Sequence, residues 1–109
     1  MNAFYRYDEN KGKGKISPAL LWDYNLKAFD WQSCRSEVVK RIVELGRLED
    51  FFAAFDLYGG IEGVREIAKN EVRGLSDRNL DFMCQAFNLQ KENTLCYKIK
   101  QSRAKRLGF

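Results

Sequence analysis

The sequence contains no histidine. That removes the usual metal ligand and the usual general base near neutral pH. A nucleophilic serine or cysteine normally works with such a base within hydrogen-bonding reach, so no Ser-His or Cys-His arrangement is available. Cysteine is scarce too. Cys34, Cys84 and Cys96 are odd in number and widely spaced, which makes neither a disulfide framework nor a C-x-x-C pair for zinc or redox work. Cys34 and Cys84 fall on apolar stripes and read as core residues. No cofactor and no metal site is expected. No apolar run approaches the roughly 18–20 residues that cross a bilayer, so no membrane partner is expected. The amino terminus, MNAFYRYDENKGKGK, lacks the apolar stretch of a secretory signal, and a cytoplasmic location is expected. Internal repeats and low-complexity tracts are absent.

What is present is the material of one small domain. The chain has 109 residues, 45% of them hydrophobic and 14% aromatic, enough for a single core without staples. The net charge of +4 is unevenly spread. Residues 1–15 hold four basic and two acidic groups, and residues 91–109 hold six basic and one acidic. The body between them is left with nine basic and twelve acidic groups. This is an acidic body with basic ends.

Hydrophobic periodicity supplies the elements. In WQSCRSEVVKRIVEL the apolar residues Trp31, Cys34, Val38, Ile42 and Leu45 recur every three or four positions, which is one face of a helix. Asp30 can cap that helix, and Gly46 is expected to close it in the left-handed conformation. Leu48, Phe51, Phe52, Phe55 and Tyr58 repeat the pattern with larger side chains, up to Gly59-Gly60. Ile61, Val64, Ile67, Ala68 and Val72 mark a third helix, which Gly63 weakens by about 1 kcal/mol relative to alanine. LSDRNL at 75–80 opens a fourth, with Ser76 as cap and Leu75 placed to close over Leu80.

The spacing therefore predicts an all-α single domain of about four main helices, near 31–45, 47–58, 61–72 and 76–88. A short turn at 18–22 precedes them, with Ser17 as cap, Pro18 at the first helical position, and Leu20, Leu21 and Trp22 packed as a lid. Trp31, Val38, Ile42, Phe51, Phe55, Val64, Ile67, Leu80, Met83 and Phe87 are the expected core. Residues 1–15 read as a flexible leader, 16–97 as the helical domain and 98–109 as a basic, frayed tail. Thr94–Ile99 fits either a short extended or a helical piece.

Candidate chemistry is sparse. The carboxylate pairs Glu49-Asp50 and Asp77 with Asp81 fall on expected polar, solvated faces, where nothing raises a carboxyl pKa for acid–base work. GGIEG at 59–63 lacks the lysine of a phosphate loop and reads as an interhelix turn. Two signals suit a nucleic acid or a binding partner. One is the carboxyl-terminal run Lys98, Lys100, Arg103, Lys105 and Arg106 near Tyr97. The other is the succession of short helices with tight turns at 46–47 and 59–60, compatible with a helix-turn-helix in which the helix at 61–72 would present Arg65, Lys69, Asn70 and Arg73. Its Glu62, Glu66 and Glu71 would repel phosphates.

Across about 16–102 the order of LLWDYNLKAFDW, VVKRIVELGRLEDFFAAFDLYG, LSDRNLDFMCQAFNL and LCYKIKQ resembles a small uncharacterised family of bacterial proteins, chiefly from Bacteroidetes. Its members look like the partners of nucleotidyltransferase-type toxins of the abortive-infection class. The resemblance implies a non-enzymatic, protein-binding antitoxin that neutralises such a toxin. The alternative is a small helix-turn-helix-like DNA-binding regulator, and one antitoxin can combine both. The shared residues belong to core and turns and include no catalytic motif. Oligomeric state is left open.

Overall fold

The protein, as a computed structural model, is described at Tyr7, Gly12 and residues 16–106. The remainder of the expected leader 1–15, residues 107–109 and the side chains of Lys105 and Arg106 lie outside the described residues. Five helices follow in order: α1 (Arg35–Leu45), α2 (Leu48–Leu57), α3 (Gly60–Asn70), α4 (Asp77–Phe87) and α5 (Leu95–Arg106). Among the described residues the 3₁₀ turns Pro18–Leu21 and Leu26–Ala28 precede α1, and Lys91–Asn93 joins α4 to α5. No strand occurs among the described residues. The all-α expectation holds, with a fifth helix added to the four.

The first helix starts four residues later than its apolar spacing suggests. Asp30 caps the turn before α1 and not α1 itself, which has Cys34 at its N-cap: the Asp30 carboxylate accepts the amides of Gln32 and Ser33, both at 3.1 Å. Its carboxylate also takes the Ser33 hydroxyl at 2.7 Å, so residues 31–34 wind as a turn before α1. Gly46 ends α1 in an extended conformation, φ −75° and ψ 164°, and not in the left-handed region. Its glycine is required by crowding, because a Cβ there would stand 2.7 Å from the Ile42 carbonyl oxygen. Left-handed backbone occurs instead at Gly59 and Gly60, with φ of 85° and 82°, where α2 turns into α3.

α3 packs against both α1 and α2, and α4 packs against α1. All the expected core residues are buried except Trp31, which is half-buried against the cluster. Phe55 lies at its centre, 1% exposed, with ring neighbours Tyr7 at 4.9 Å, Phe52 at 6.3 Å and Phe87 at 6.4 Å. Such offset and edge-on pairs are the favoured aromatic geometry. Cys84 and Cys96 are buried free thiols and Cys34 is half-buried. Leu75 and Leu80 are both buried on either side of Ser76, which accepts the Asn79 amide at 3.1 Å.

Three expectations are corrected by packing. Leu45 is exposed, because the buried face of α1 is centred on Val38, Val39, Ile42 and Val43 and Leu45 falls to one side of it. Asp50 is buried, not solvated: its carboxylate accepts the amide of Ser17 at 2.7 Å and that of Arg47 at 2.8 Å. Residues 98–106 are helical, not frayed, because Thr94 caps α5 from within. Its hydroxyl accepts the Tyr97 amide at 3.2 Å and donates to the Lys91 carbonyl at 2.7 Å.

Candidate functional site

Residues 16–31 form a strap that crosses α1 and α2. Its first anchor is Asp50 at the amino-terminal turn of α2, holding the Ser17 amide. Ser17 thus precedes the Pro18 turn by donating its own amide, with no side-chain cap. The second anchor is Arg41 of α1. Its guanidinium donates to the Leu20 carbonyl at 3.0 Å, to both carboxylate oxygens of Asp23 (one at 2.9 Å), and to Glu37 at 3.0 Å. The same guanidinium lies 5.1 Å from the centre of the Tyr24 ring, a cation–π distance. Hydrogen bonds from Arg41 hold the Asp23 carboxyl below the usual carboxylate range.

Leu20 and Leu21 turn into the core, whereas Trp22 is 81% exposed. With three residues per turn, two inward positions of a 3₁₀ turn send the next outward. Trp22 therefore does not act as a lid. It projects into solvent from a backbone pinned on both sides, by Leu20 and by Asp23. Tyr24 stacks edge-on with Phe29 at 5.0 Å, and Phe29 with Trp31 at 4.7 Å. A cleft of about 490 Å³ opens between strap and α2, lined by Ile16, Pro18, Leu26, Trp31 and Leu57.

The basic candidates divide into two groups. On α3, Arg65 has a structural role, donating to the Phe87 carbonyl at 2.8 Å and the Asn88 carbonyl at 3.1 Å. Those carbonyls end α4 and have no partner within the helix, so Arg65 joins α3 to α4 and is not presented for phosphate. Lys69 is half-buried and Arg73 exposed. Nearby, Glu71 pairs with Arg35 at 2.9 Å and Glu66 accepts from Asn70 at 3.0 Å.

On α5 the structure brings Lys98, Lys100 and Arg103 together. Lys98 and Arg103 are exposed, and Lys100 pairs with Asp77 at 3.2 Å. Lys91 pairs with Asp81; that bond holds the ammonium above its ordinary pKa. Asp77 and Asp81, the carboxylate pair on α4, are thus each engaged by a lysine. Among the described residues no group of three or more His, Cys, Asp or Glu side chains is arranged to hold a metal ion, and no helix is long and apolar enough to cross a membrane.

Sequence pattern does not single out the strap. Its Arg41–Asp23 link spans 18 residues, and no periodicity marks it. The one local signal is a tryptophan followed at once by charge, in LLWDYN.

Residues 16–68 match the model of a family of unknown function (DUF6922). The chain is similar to that family from the strap to the last turn of α3. No curated protein and no solved structure matches the chain.

Proposed function

We propose that this chain is a non-enzymatic, protein-binding module of the cytoplasm. Its partner class is a nucleotidyltransferase-type toxin that it neutralises as an antitoxin. The partner class rests on the resemblance of LLWDYNLKAFDW and the helix segments after it. The binding reading rests on one observation, the exposed Trp22 held on a pinned turn. An aromatic anchor whose backbone is ordered before binding costs little entropy to dock, and tryptophan is among the residues most enriched at interface positions that dominate affinity. Tyr24 and Leu26 on the same strap are also partly exposed, and Leu26 lines the cleft against α2.

Co-expression with the product of the neighbouring gene, followed by size-exclusion chromatography and a growth assay, tests the reading. The two proteins are expected to co-elute and growth to be restored. Trp22→Ala, at a position that supports no core contact, should weaken association at least tenfold while leaving the melting temperature unchanged. Separate elution with toxicity unaffected would remove the antitoxin reading.

A helix-turn-helix-like DNA-binding regulator is the second reading. The tight α2–α3 join at Tyr58-Gly59 favours it. The commitment of Arg65 to α4 and the acidic side chains along α3 weigh against it.

A further inference from the structure

The carboxyl-terminal helix carries a feature that toxin binding through Trp22 does not use. Beyond Ile99, α5 reads KQSRAKR and holds a single small apolar residue, Ala104. A helix that is polar on every side buries nothing of its own. Lys98, Lys100 and Arg103 are spread along its turns, and neither Lys98 nor Arg103 forms an ion pair among the described residues. The Lys100–Asp77 pair is open to exchange, since the Asp77 side chain is 90% exposed and exposed pairs are worth little.

Tyr97 stands in the middle of these cations. It rests partly on the core and lines two clefts. One, of about 560 Å³, also holds Lys91, Lys100 and Arg103, together with the Asp77 carboxylate that pairs with Lys100. The other, of about 280 Å³, also holds Lys98 and Ser102, together with Glu92. An aromatic ring reachable from clefts on two sides, with cations in both, is the chemistry that takes an unstacked base and its flanking phosphates. A duplex keeps its bases stacked and would leave the ring idle. The charge of the whole chain points the same way, with basic groups concentrated in residues 91–109 and the body net acidic.

We infer that α5 and Tyr97 form a sequence-tolerant binding site for single-stranded nucleic acid, RNA or DNA, separate from the Trp22 surface.

Fluorescence anisotropy of the full chain with labelled oligo(U), oligo(dT) and a duplex of equal length, at low and at physiological ionic strength, tests this. Both single strands are expected to bind more tightly than the duplex. For three neutralised phosphates the log–log slope against salt should be roughly −2. Lys98→Gln/Arg103→Gln, at exposed positions, should lower affinity at least tenfold with the melting temperature unchanged. Tyr97→Leu should lower it about tenfold and abolish the preference for single strands, with circular dichroism reporting that the fold is kept. Oligo(U) bound well above oligo(dT) would narrow the ligand to RNA and support the site. Equal or tighter binding of the duplex, or no binding at low salt, would overturn it. So would an undiminished affinity in the charge variant. Loss of the protein partner in the charge variant, without any nucleic-acid binding by the parent, would overturn it in favour of an acidic protein surface. Trp22→Ala serves as a control and should leave oligonucleotide affinity unchanged.

Discussion

At the scale of single residues, the largest departures from sequence expectation are glycines and charged side chains placed by their neighbours. Gly63 is the clearest. Helix propensity alone says that alanine in mid-helix stabilises by about 1 kcal/mol. In the fold a Cβ at Gly63 would sit 1.6 Å from the Tyr58 carbonyl oxygen, an overlap that backbone on both sides must move to relieve. Gly63→Ala should therefore destabilise the domain by about 3 kcal/mol or more. Gly60→Ala, left-handed at φ 82° but with open space around it, should cost only about 1–2 kcal/mol. Urea midpoints of the two variants against the parent check the order. A stabilised Gly63→Ala variant would show that the α2–α3 corner is looser than described. The overlap arises because α3 doubles back on α2 through Gly59 and Gly60, and no local pattern reports how closely that return passes.

At the scale of elements, α5 shows why a charged segment can be misread. Residues 98–106 have no apolar stripe, so periodicity is silent there. The helix depends on its first turn. Cys96 and Thr94 are buried, and the Thr94 hydroxyl bonds both the Tyr97 amide and the Lys91 carbonyl. Thr94→Ala removes the side-chain acceptor of a first-turn amide and one of the donors to the Lys91 carbonyl, and should cost about 1–3 kcal/mol. Amide hydrogen exchange in α5 should accelerate more than in α1–α3. Thr94→Ser, which keeps the hydroxyl, should restore most of the protection. Uniform acceleration across all five helices would mean that α5 unfolds only with the body. The strap differs in kind, since it holds through two long-range polar anchors at Asp50 and Arg41, which is how 3₁₀ turns too short to stand alone are kept in place.

At the scale of the whole molecule, stability varies with pH at both ends of the range, through Tyr58 among others at the alkaline end and Asp23 among others at the acid end. The Tyr58 hydroxyl donates to the Trp31 carbonyl at 2.8 Å, and burial pushes its pKa up to about 12. The same phenol in the unfolded chain titrates near 10. Its contribution is complete below that value and is lost as pH rises toward about 12, because only the unfolded state then gains by ionising. Tyr58→Phe should cost about 1 kcal/mol at neutral pH and show a smaller loss between neutral pH and about pH 11 than the parent. Urea unfolding at both values gives the comparison, and parallel losses in the two proteins would contradict it. At the acid end Asp23 acts in the opposite sense. Its depressed pKa means the clamp with Arg41 is intact at neutral pH and disappears as pH falls through the folded value.

The sequence by itself determined that the protein is helical and, apart from Trp31, Leu45 and Leu48, which side chains of the helical stripes make the core. These follow from spacing along a helix of known pitch, and Phe51, Phe55, Ile67 and Met83 needed no other information. The capping residues Asp30 and Ser76 were legible for the same reason, since their partners lie within three residues. Only the tertiary structure decided which residues are available to a partner. Trp22 faces outward because Leu20 and Leu21 are drawn in. Asp50 is buried because Ser17 crosses it, and Arg65 is spent because α4 ends beneath it. Each of these turns on a contact 21 to 33 residues away in the chain, and periodicity, being a property of neighbours, carries nothing over that distance.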